Sequence, residues 1–278
     1  MATFSINIDK PPIPTGRTLW VDSVNGNDST GLRGRQDRPF LTINAALQDG
    51  LTGDTVVVRP GTYDERVVLG DVHIHFEDGA ILHYTGTSTG QVIGDDLASP
   101  ATCKVTGWGI FRHSGLPDLE NPTDNSGPYN GVVGSVNENS NWHFECVSIE
   151  GNQQATNGAG GLVIDSGKFS FCVRNQLRST IYDALLNSGD VTGQCDTVGY
   201  IGRIVATETA DHAVEFTTGK ARISIGSIES LNLTKNTING LGGDVIIDCQ
   251  SIKGAGPRIS GGTLKNCQIE LTSSSTDA

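Results

Sequence analysis

The feature that most constrains this chain is a succession of short, β-branched runs separated by glycine, which continues almost to the C-terminus. Double glycines introduce three of these runs, in the stretches GGLVID, GGDVIID and GGTLKN. Glycine makes up 36 of the 278 residues, whereas its average share in proteins is about 7%. Short Val-, Ile- and Thr-rich runs bounded by glycine are typical of strands and turns. The pattern therefore predicts an all-β protein.

Alternation within the runs predicts which side chains are buried. Along GGDVIIDCQ, the side chains of Val245, Ile247 and Cys249 are expected to point inward, and Ile246 is expected to point outward. Similar runs repeated along a chain are typical of stacked arrays, in which successive coils lie about 4.8 Å apart. A sandwich or barrel is the alternative, because spaced strands do not by themselves decide the topology. Asn-Gly and Asp-Gly hairpin turns are few, which favours stacked coils.

The N-terminal region begins with a segment that has no core pattern. Residues 1–17 are polar, and Pro11, Pro12 and Pro14 keep the backbone extended. An extended segment of this kind is usually disordered unless something holds it. We therefore expect a neighbouring subunit or a larger assembly to hold it as a docking arm.

One helix is predicted, in the stretch TINAALQDG. Ile43, Ala46 and Leu47 share one helical face. Thr42 can cap the N-terminus of this helix, and Gly50 can end it. The run TVVVRP follows and predicts a buried strand.

The segments LWVDSVNGNDSTG and DRPFLTINAALQDGLTGDTVVVRPGTYDERVVL resemble the N-terminal part of right-handed parallel β-helix proteins, the pectate-lyase-like superfamily. The resemblance covers residues 19–86. It implies an all-β, right-handed parallel β-helix, or solenoid, with an N-terminal capping helix and an extended N-terminal arm. Proteins of this group include polysaccharide lyases, glycoside hydrolases, bacterial surface proteins and bacteriophage tailspikes, fibres and capsid appendages.

The resemblance and the composition together predict how the chain is divided. Residues 1–17 form the docking arm, and residues 18–272 form the parallel β-helix domain, whose N-terminal cap spans 18–54. A Pro-, Asn- and Gly-rich stretch near 114–141 is expected to be a loop insertion that projects from one face. Residues 273–278 form a polar C-terminal tail.

Charge and hydropathy argue against two classes of partner. The net charge of −12 disfavours nucleic acid, because binding to it needs clustered Lys and Arg. No run approaches the roughly 20 apolar residues of a membrane span, so no membrane partner is expected. The N-terminus lacks the basic and apolar regions of a secretory signal. We expect synthesis in a host cytoplasm and a final location in a virion, which is released by lysis.

Two further features have structural and functional interpretations. Arg33, Arg35 and Arg38 in RGRQDR form either a solvated loop or a docking patch for an acidic neighbour. The cysteines form no CxxC motif and mostly lie in strand-like runs, so they are interpreted as structural thiols. They are Cys103, Cys146, Cys172, Cys195, Cys249 and Cys267.

The catalytic candidates are a pair of carboxylates and a histidine. Asp95 and Asp96, in GDD, resemble the paired aspartates of polygalacturonase-like hydrolases, and His113, in RHSG, resembles part of that family's histidine motif. Such hydrolases need one carboxyl acid and one base or nucleophile. However, adjacent residues of a strand point to opposite faces, and the Arg-x-Lys motif of that family is missing. A solvated turn is the alternative, and no catalytic residue is assigned.

Two stretches could in principle ligate a metal. His73 and His75, in HIHF, lie on the same strand face, where a third ligand would complete a site. The acidic stretch 22–28, DSVNGND, offers oxygen ligands of the kind that calcium takes, although these are also ordinary turn residues. Neither pattern is complete, so neither a metal nor a cofactor is predicted.

Three functions remain open. A bacteriophage virion structural protein, such as a capsid or tail appendage, spike, fibre or decoration protein, is favoured over a carbohydrate-active enzyme, either lyase or hydrolase. Whether the chain is an enzyme at all stays undecided, with a non-enzymatic role favoured. The third hypothesis is a glycan-binding module in which Trp108, Trp142 and Tyr129 stack on sugars.

The expected partners follow from the favoured function. Copies of the chain are expected to form a homo-oligomer, most simply a trimer, with the outward apolar residues Val147 and Ile246 at the interface. The arm is expected to bind other virion proteins. Host surface polysaccharide is a further expected partner.

Overall fold

The structure is a computed structural model. It describes residues 16–86, 91–95, 100–114, 131–135, 137–151, 160–164, 167–180, 184–187, 196–207, 210, 212–216, 219–234, 236–240, 244–258 and 262–272.

Strands dominate the described part of the chain, together with one helix, α1 (Ile43–Asp49). The strands are β1 (Thr18–Val21), β2 (Thr55–Val58), β3 (Gly61–Tyr63), β4 (Val67–Val68), β5 (His73–Phe76), β6 (Ala80–Tyr84), β7 (Ile93–Gly94), β8 (Lys104–Gly107), β9 (Ile110–His113), β10 (Gly131–Ser135), β11 (Asn141–Glu150), β12 (Gly160–Ile164), β13 (Lys168–Ser179), β14 (Leu185–Asn187), β15 (Asp196–Ala206), β16 (Val214–Phe216), β17 (Lys220–Ser230), β18 (Ile238–Asn239), β19 (Asp244–Gly254), β20 (Pro257–Arg258), β21 (Thr263–Lys265) and β22 (Gln268–Leu271). Within these residues, no helix is long and apolar enough to cross a membrane.

The strands form two parallel sheets. The long sheet has the order β1-β2-β5-β8-β11-β13-β15-β17-β19-β21, and β3, β6, β9 and β22 also belong to it. The second sheet has the order β20-β18-β16-β14-β12-β10-β7-β4. From β10 onward the chain alternates between the sheets, and each long strand pairs in parallel with the long strand of the next circuit. The expected all-β, parallel architecture is confirmed, and it is consistent with a β-helix-like solenoid.

Inward side chains form the core in columns that run from strand to strand. Val245, Ile247 and Cys249 on β19 are buried, as their alternation predicts. Ile223 on β17 lies in register with Ile247 and is buried as well. Ile246 points outward and is partly exposed. Parallel, in-register pairing therefore places buried residues beside buried residues, and outward residues beside outward residues, on successive strands.

Aromatic rings fill the core in the N-terminal half. The ring centroids of Phe76 and Phe111 lie 4.9 Å apart, and those of Phe111 and Phe144 lie 5.0 Å apart. On β13, Phe169 and Phe171 stack at 5.5 Å. Aromatic pairs contribute about 0.5–1.5 kcal/mol each beyond the burial of their area. These contacts add side-chain stabilisation to the backbone ladders that join the coils.

The predicted helix is confirmed as α1, and its N-terminus is held by side chains. Thr42 Oγ1 accepts the N–H of Ala45 at 3.2 Å. The Glu65 carboxylate accepts the N–H of Ile43 at 2.7 Å and that of Asn44 at 2.9 Å. A carboxylate at this position satisfies backbone donors that have no partner within the helix and complements the helix dipole. Glu65 lies between β3 of the long sheet and β4 of the second sheet. Its hydrogen bonds therefore attach the N-terminus of α1 to the segment that joins the two sheets.

A buried carboxylate, Asp54, joins the start of β1 to the segment before β2. It accepts the backbone N–H of Arg17 at 2.7 Å and that of Leu51 at 2.9 Å. The Arg33 guanidinium pairs with the same carboxylate, with Nη2 at 2.6 Å from Oδ1. The hydrogen bond from Arg33, aided by the backbone donors, lowers the pKa of Asp54 to about 2 against the cost of burial. The Arg33 charge is therefore paired within the chain by Asp54.

One predicted segment boundary differs from the structure. The insertion expected at 114–141 ends earlier, because Gly131–Ser135 is strand β10, whose five residues are all buried in the second sheet. Residues 115–130 and 136 of that insertion lie outside the described residues, as do 1–15 of the arm and the tail 273–278.

Replacing Asp54 tests the importance of this carboxylate. We expect Asp54→Asn to lower the free energy of unfolding by about 3 kcal/mol at pH 7, because it leaves Arg33 without its partner. The folded pKa, about 2, lies below the ordinary 3.8. The contribution of Asp54 is therefore complete above pH 4 and is lost as the pH falls toward 2. Urea unfolding of the wild type and the variant at pH 7 and pH 3 measures both effects.

Asp37→Asn is the matched control, because its ion pair with Arg35 is largely exposed. It should change the free energy of unfolding by less than about 0.5 kcal/mol. Equal losses in the two variants would contradict the role assigned to Asp54.

Candidate functional site

The outward face of the long sheet carries a cluster of polar side chains on four neighbouring strands. Outward positions alternate with buried ones on β5, β8, β11 and β13. Register then aligns the outward residues, since His75 is paired with Thr106, and Lys104 with His143. We name this cluster the polar face. Its members are His73, His75, Lys104, Thr106, His143, Glu145, Ser170 and Arg174.

A chain of hydrogen bonds joins a hydroxyl, an imidazole and a carboxylate on the polar face. Ser170 Oγ lies 2.8 Å from His143 Nδ1, and His143 Nε2 lies 3.1 Å from Glu145 Oε1. Because an ionised carboxylate can only accept, Nε2–H donates a hydrogen bond to Glu145, and Nδ1 then accepts one from the serine hydroxyl. The hydrogen bond from His143, followed by that from Arg174, lowers the pKa of Glu145 to about 2 despite burial. Glu145 is therefore charged at neutral pH.

Arg174 extends this chain of contacts to an exposed tryptophan. Its Nη2 donates to Glu145 Oε2 at 2.8 Å, and its Nη1 donates to the Gly107 carbonyl at 2.7 Å. The guanidinium carbon lies 4.6 Å from the ring centroid of Trp108, a cation–π distance. Trp108 remains 51% exposed. One arginine thus fixes a carboxylate and an exposed aromatic ring on the same side of the sheet.

A β-bulge begins at Arg174, which itself keeps the outward position that alternation from Ser170 gives it. The pairing of β11 with β13 loses register after Val173, where β13 contains one more residue than its neighbour. Such bulges turn side chains away from the regular alternation. Gly202, on β15, makes room for the bulge. A Cβ there would lie 2.4 Å from the Arg174 carbonyl oxygen and 2.7 Å from that of Asn175.

The arrangement of Ser170, His143 and Glu145 has two chemical interpretations. A serine hydroxyl bonded to an imidazole, which a carboxylate orients, is the arrangement that activates a nucleophile. Cross-strand polar pairs on a sheet face also stabilise that sheet, by about 0.2–1 kcal/mol each. The His143 side chain is only 12% exposed, so neighbouring side chains cover most of the imidazole and little of it meets solvent. Lys104, in register with His143, adds a cation to the same face.

The catalytic candidates from the sequence are not gathered into this face. Asp95 is fully buried after β7, 3.5 Å from Ser135 Oγ and 3.4 Å from the N–H of Asn137. The predicted solvated turn is therefore wrong at Asp95, because protein groups surround its carboxylate. His113 ends β9 of the same sheet, but its side chain is buried and stacks on a tyrosine ring, and burial lowers its pKa. Asp96 lies outside the described residues.

The metal candidates are engaged in other interactions. His73 and His75 share one strand face, as predicted, but His75 Nδ1 is 3.1 Å from the Thr106 hydroxyl. His73 Nδ1 accepts the backbone N–H of Lys104 at 3.1 Å. Among the described residues, no group of three or more His, Cys, Asp or Glu could hold a metal ion.

The acidic stretch 22–28 has the turn structure that was its alternative interpretation. Asp22 accepts the N–H groups of Val24 and Asn25, each at 2.9 Å. These backbone bonds, led by that from Asn25, lower the pKa of Asp22 to about 2. Asp28 accepts the N–H of Leu41 at 2.7 Å. Both carboxylates therefore serve the local fold.

The predicted aromatic and arginine sites divide between core and surface. Trp142 is buried, and its indole donates to Ser135 Oγ at 3.2 Å, so its predicted role in sugar stacking is wrong. Trp108 is exposed, as such a role requires, and Tyr129 lies outside the described residues. RGRQDR had two interpretations, a solvated loop and a docking patch, and two of its three arginines are paired within the chain, Arg33 with Asp54 and Arg35 with Asp37.

Sequence reasoning missed Ser170, His143, Glu145 and Arg174 as a group. The stretch WHFEC does place His143 and Glu145 two residues apart, which indicates a shared face. Ser170 lies 27 residues beyond His143, and only the strand register shows that the two are neighbours. Arg174 shares the outward alternation of Ser170, but the bulge beside it leaves no recognisable signal in the sequence.

Comparison with known protein families, with curated proteins and with solved structures found no match for this chain.

The bulge gives a testable prediction. We expect Gly202→Ala to lower the free energy of unfolding by about 1–3 kcal/mol, because its Cβ would press on the carbonyls of Arg174 and Asn175. Gly70→Ala is the control, since a Cβ there meets no atom within 4 Å. Urea unfolding of both variants measures the difference. A Gly202 variant as stable as the Gly70 variant would contradict the close approach.

Proposed function

We propose that the chain is a right-handed β-helix-like solenoid, with α1 over its first coil, and that it is a structural protein of a bacteriophage particle. It would serve as an appendage, spike, fibre or decoration protein. Copies would associate as a homo-oligomer, most simply a trimer, and the arm 1–17 would dock onto other virion proteins. The resemblance within residues 19–86 supports the solenoid, and features of the long sheet support the structural role.

The observation that carries this proposal is the continuity of the long sheet. Ten strands follow one another in a single parallel order from β1 to β21. At about 4.8 Å between neighbours, the stack extends for roughly 43 Å. Each interior strand is bonded on both sides, so load applied along the stack is shared by many backbone hydrogen bonds. A rod of this kind suits a particle that must persist outside the cell.

Charge on the outward face reinforces the same stacking. Lys168, Asp196, Lys220 and Asp244 are exposed at the start of successive long strands and lie in register, so their charges alternate in sign. Opposite charges directly across neighbouring strands are favourable, and like charges are unfavourable. Ion pairs also join successive coils elsewhere, in the pairs Arg112–Glu150, Arg203–Glu229 and Lys253–Glu270.

Outward apolar side chains support self-association. Val147 and Ile246 point out of the long sheet and are partly exposed, as predicted. Val198, two strands from Ile246, lies in the same outward column, and Tyr200 beside it is 37% exposed. Burying such residues against a second copy would remove them from water.

Two surface features support an adhesive role toward host polysaccharide. Trp108 offers an exposed ring beside the polar face, next to Arg174. Toward the C-terminal end, an open groove of about 740 Å³ is lined by small and charged side chains, including Ser227, Ser251, Arg203 and Glu270. A groove with hydroxyl, guanidinium and carboxylate groups can hydrogen-bond an extended sugar chain.

Solution mass and particle labelling test the structural proposal. Light scattering should give the mass of three chains for the full protein, and the same oligomer for the chain lacking residues 1–17. Antibody against the protein should label purified phage particles of the source strain under the electron microscope. A stable monomer would overturn the oligomer, and unlabelled particles would overturn the virion role.

A hydrolytic activity is the second candidate function, and the Ser170–His143–Glu145 chain favours it. Ser170 Oγ would attack the carbonyl carbon of an ester on a polysaccharide, and His143 Nδ1 would take the serine proton. The imidazolium would then protonate the leaving alkoxide. Water would hydrolyse the acyl-serine, with His143 again as base. This alternative places carbohydrate-directed chemistry on the polar face instead of at Asp95.

Ester hydrolysis and serine labelling test this second function. If it is right, the protein hydrolyses p-nitrophenyl acetate, and Ser170→Ala lowers kcat/KM at least about 100-fold. A fluorophosphonate probe should label the wild type but not that variant. Ser224→Ala, on the outward face of β17, is the control and should retain the activity. Unlabelled wild-type protein without esterase activity would exclude the hydrolase.

A further inference from the structure

The last two described coils place two cysteines next to each other on neighbouring strands. Asp248 of β19 lies in register with Lys265, and Ser251 lies in register with Gln268. Between these two register pairs, one strand supplies Cys249 and Gln250, and the other segment supplies Asn266 and Cys267. The two cysteines therefore lie on adjacent coils, within one residue of direct register.

Backbone conformation turns Cys267 toward Cys249. Asn266 has a left-handed φ of 55°, which residues other than glycine adopt rarely. Its side-chain amide donates to both carboxylate oxygens of Asp248 at 3.0 Å, which holds the turn in place. Cys267 packs against the buried core that contains Cys249, and the nearby Cys267 thiol adds to the rise in the pKa of Cys249 that burial causes. Each thiol donates to a backbone carbonyl, Cys249 to Ser251 at 3.2 Å and Cys267 to Gln268 at 3.6 Å. Both cysteines are free thiols, with Cys249 buried and Cys267 partly exposed.

The coil that contains Cys267 is weakly held. All four residues of β22 are exposed, and the apolar Leu271 is 67% exposed. The ion pair between Lys253 and Glu270 is long, at 3.8 Å, and both side chains are about half exposed or more. A covalent link at Cys267 would therefore act where the non-covalent contacts are few.

We propose that Cys249 and Cys267 are a modification site, at which a disulfide exchange reaction forms a bond that ties the last described coil to the coil before it. The oxidant is a small-molecule disulfide such as oxidised glutathione. The thiolate of Cys267, the more exposed cysteine, attacks one glutathione sulfur and releases a glutathione thiolate. Cys249 loses its proton and attacks Cys267, and the second glutathione leaves. One glutathione disulfide is reduced, and two protein thiols are oxidised.

The geometry selects this pair over the other described cysteines. Cys146 and Cys172 are on neighbouring strands, but Cys172 lies in register with Glu145, one residue before Cys146. Because successive side chains of a strand point to opposite faces, Cys146 is buried and Cys172 points outward. Cys103 is buried on an earlier coil.

Burial makes the reaction slow at neutral pH. It raises the pKa of Cys249 to about 12, and it raises the pKa of Cys267. The neighbouring Asp248 adds to the effect at Cys249. Since the thiolate is the reacting form, exchange speeds up as the pH rises. The reaction is therefore best followed at alkaline pH.

Peptide mapping of the folded full chain after treatment with oxidised glutathione at pH 8.5 tests the proposal. Intact mass should fall by two hydrogen atoms, with no glutathione retained. Trypsin without reductant should give the peptides 236–253 and 266–278 as one linked species. Cys249→Ser should instead retain one glutathione on Cys267, and Cys172→Ser should still form the link.

Limited proteolysis of the folded protein gives a second readout. Opening of the last coil should become rarer after oxidation, so native tryptic cleavage after Lys265 should slow at least about tenfold. The proposal is overturned if Cys267 in the wild type keeps its glutathione or links to a second chain. It is also overturned if the folded protein forms no link under conditions in which the unfolded chain is oxidised.

Discussion

Parallel, in-register hydrogen bonding between successive coils is the constraint on which the rest of this structure depends. Because each long strand is bonded to the next at matched positions, a residue's neighbours are set by its place in a column more than by its place in the sequence. Inward columns become stacks of Ile, Val and Phe, and outward columns become rows of charged and hydroxyl side chains. Slipping one coil by a single residue would exchange the two sets of columns. Burial on one side and charge alternation on the other both oppose such a slip.

The first strand, β1, is an edge of the long sheet. Among the described residues no earlier coil supplies hydrogen bonds to it, so its free backbone groups need other partners. Backbone N–H groups of the following segment bond to β1 on that side, since Gly34 donates to the Thr18 carbonyl at 2.9 Å and Phe40 to the Trp20 carbonyl at 2.8 Å. Asp54 accepts the N–H of Arg17, just before β1, and Glu65 accepts the N–H groups at the start of α1. The first coil is thus organised by a few buried polar contacts, whereas later coils rely on repetition.

Periodicity in the sequence was enough to predict the strands, their alternation at Val245, Ile247 and Cys249, and the helix around Ile43. It could not predict which strand faces which, because coil length varies. His143 and Ser170 are neighbours only through the register of β11 and β13. The sequence also could not show whether Trp142 is buried. An indole on a strand can face the core or the solvent, and the strands paired with it determine which. Asp95 followed a glycine and suggested a turn, yet the second sheet encloses it.

The extra residue near Arg174 has a consequence for how such a chain can change over time. The bulge displaces carbonyls into the space of the next coil, and Gly202 accommodates them there. A Cβ at Gly226, one coil further on, would in turn lie 2.2 Å from the Gly202 carbonyl. An extra residue in one coil thus goes with glycine at the matching position of the next two coils. These coils are therefore not interchangeable modules, because only a coil with glycine at that position fits against the bulge.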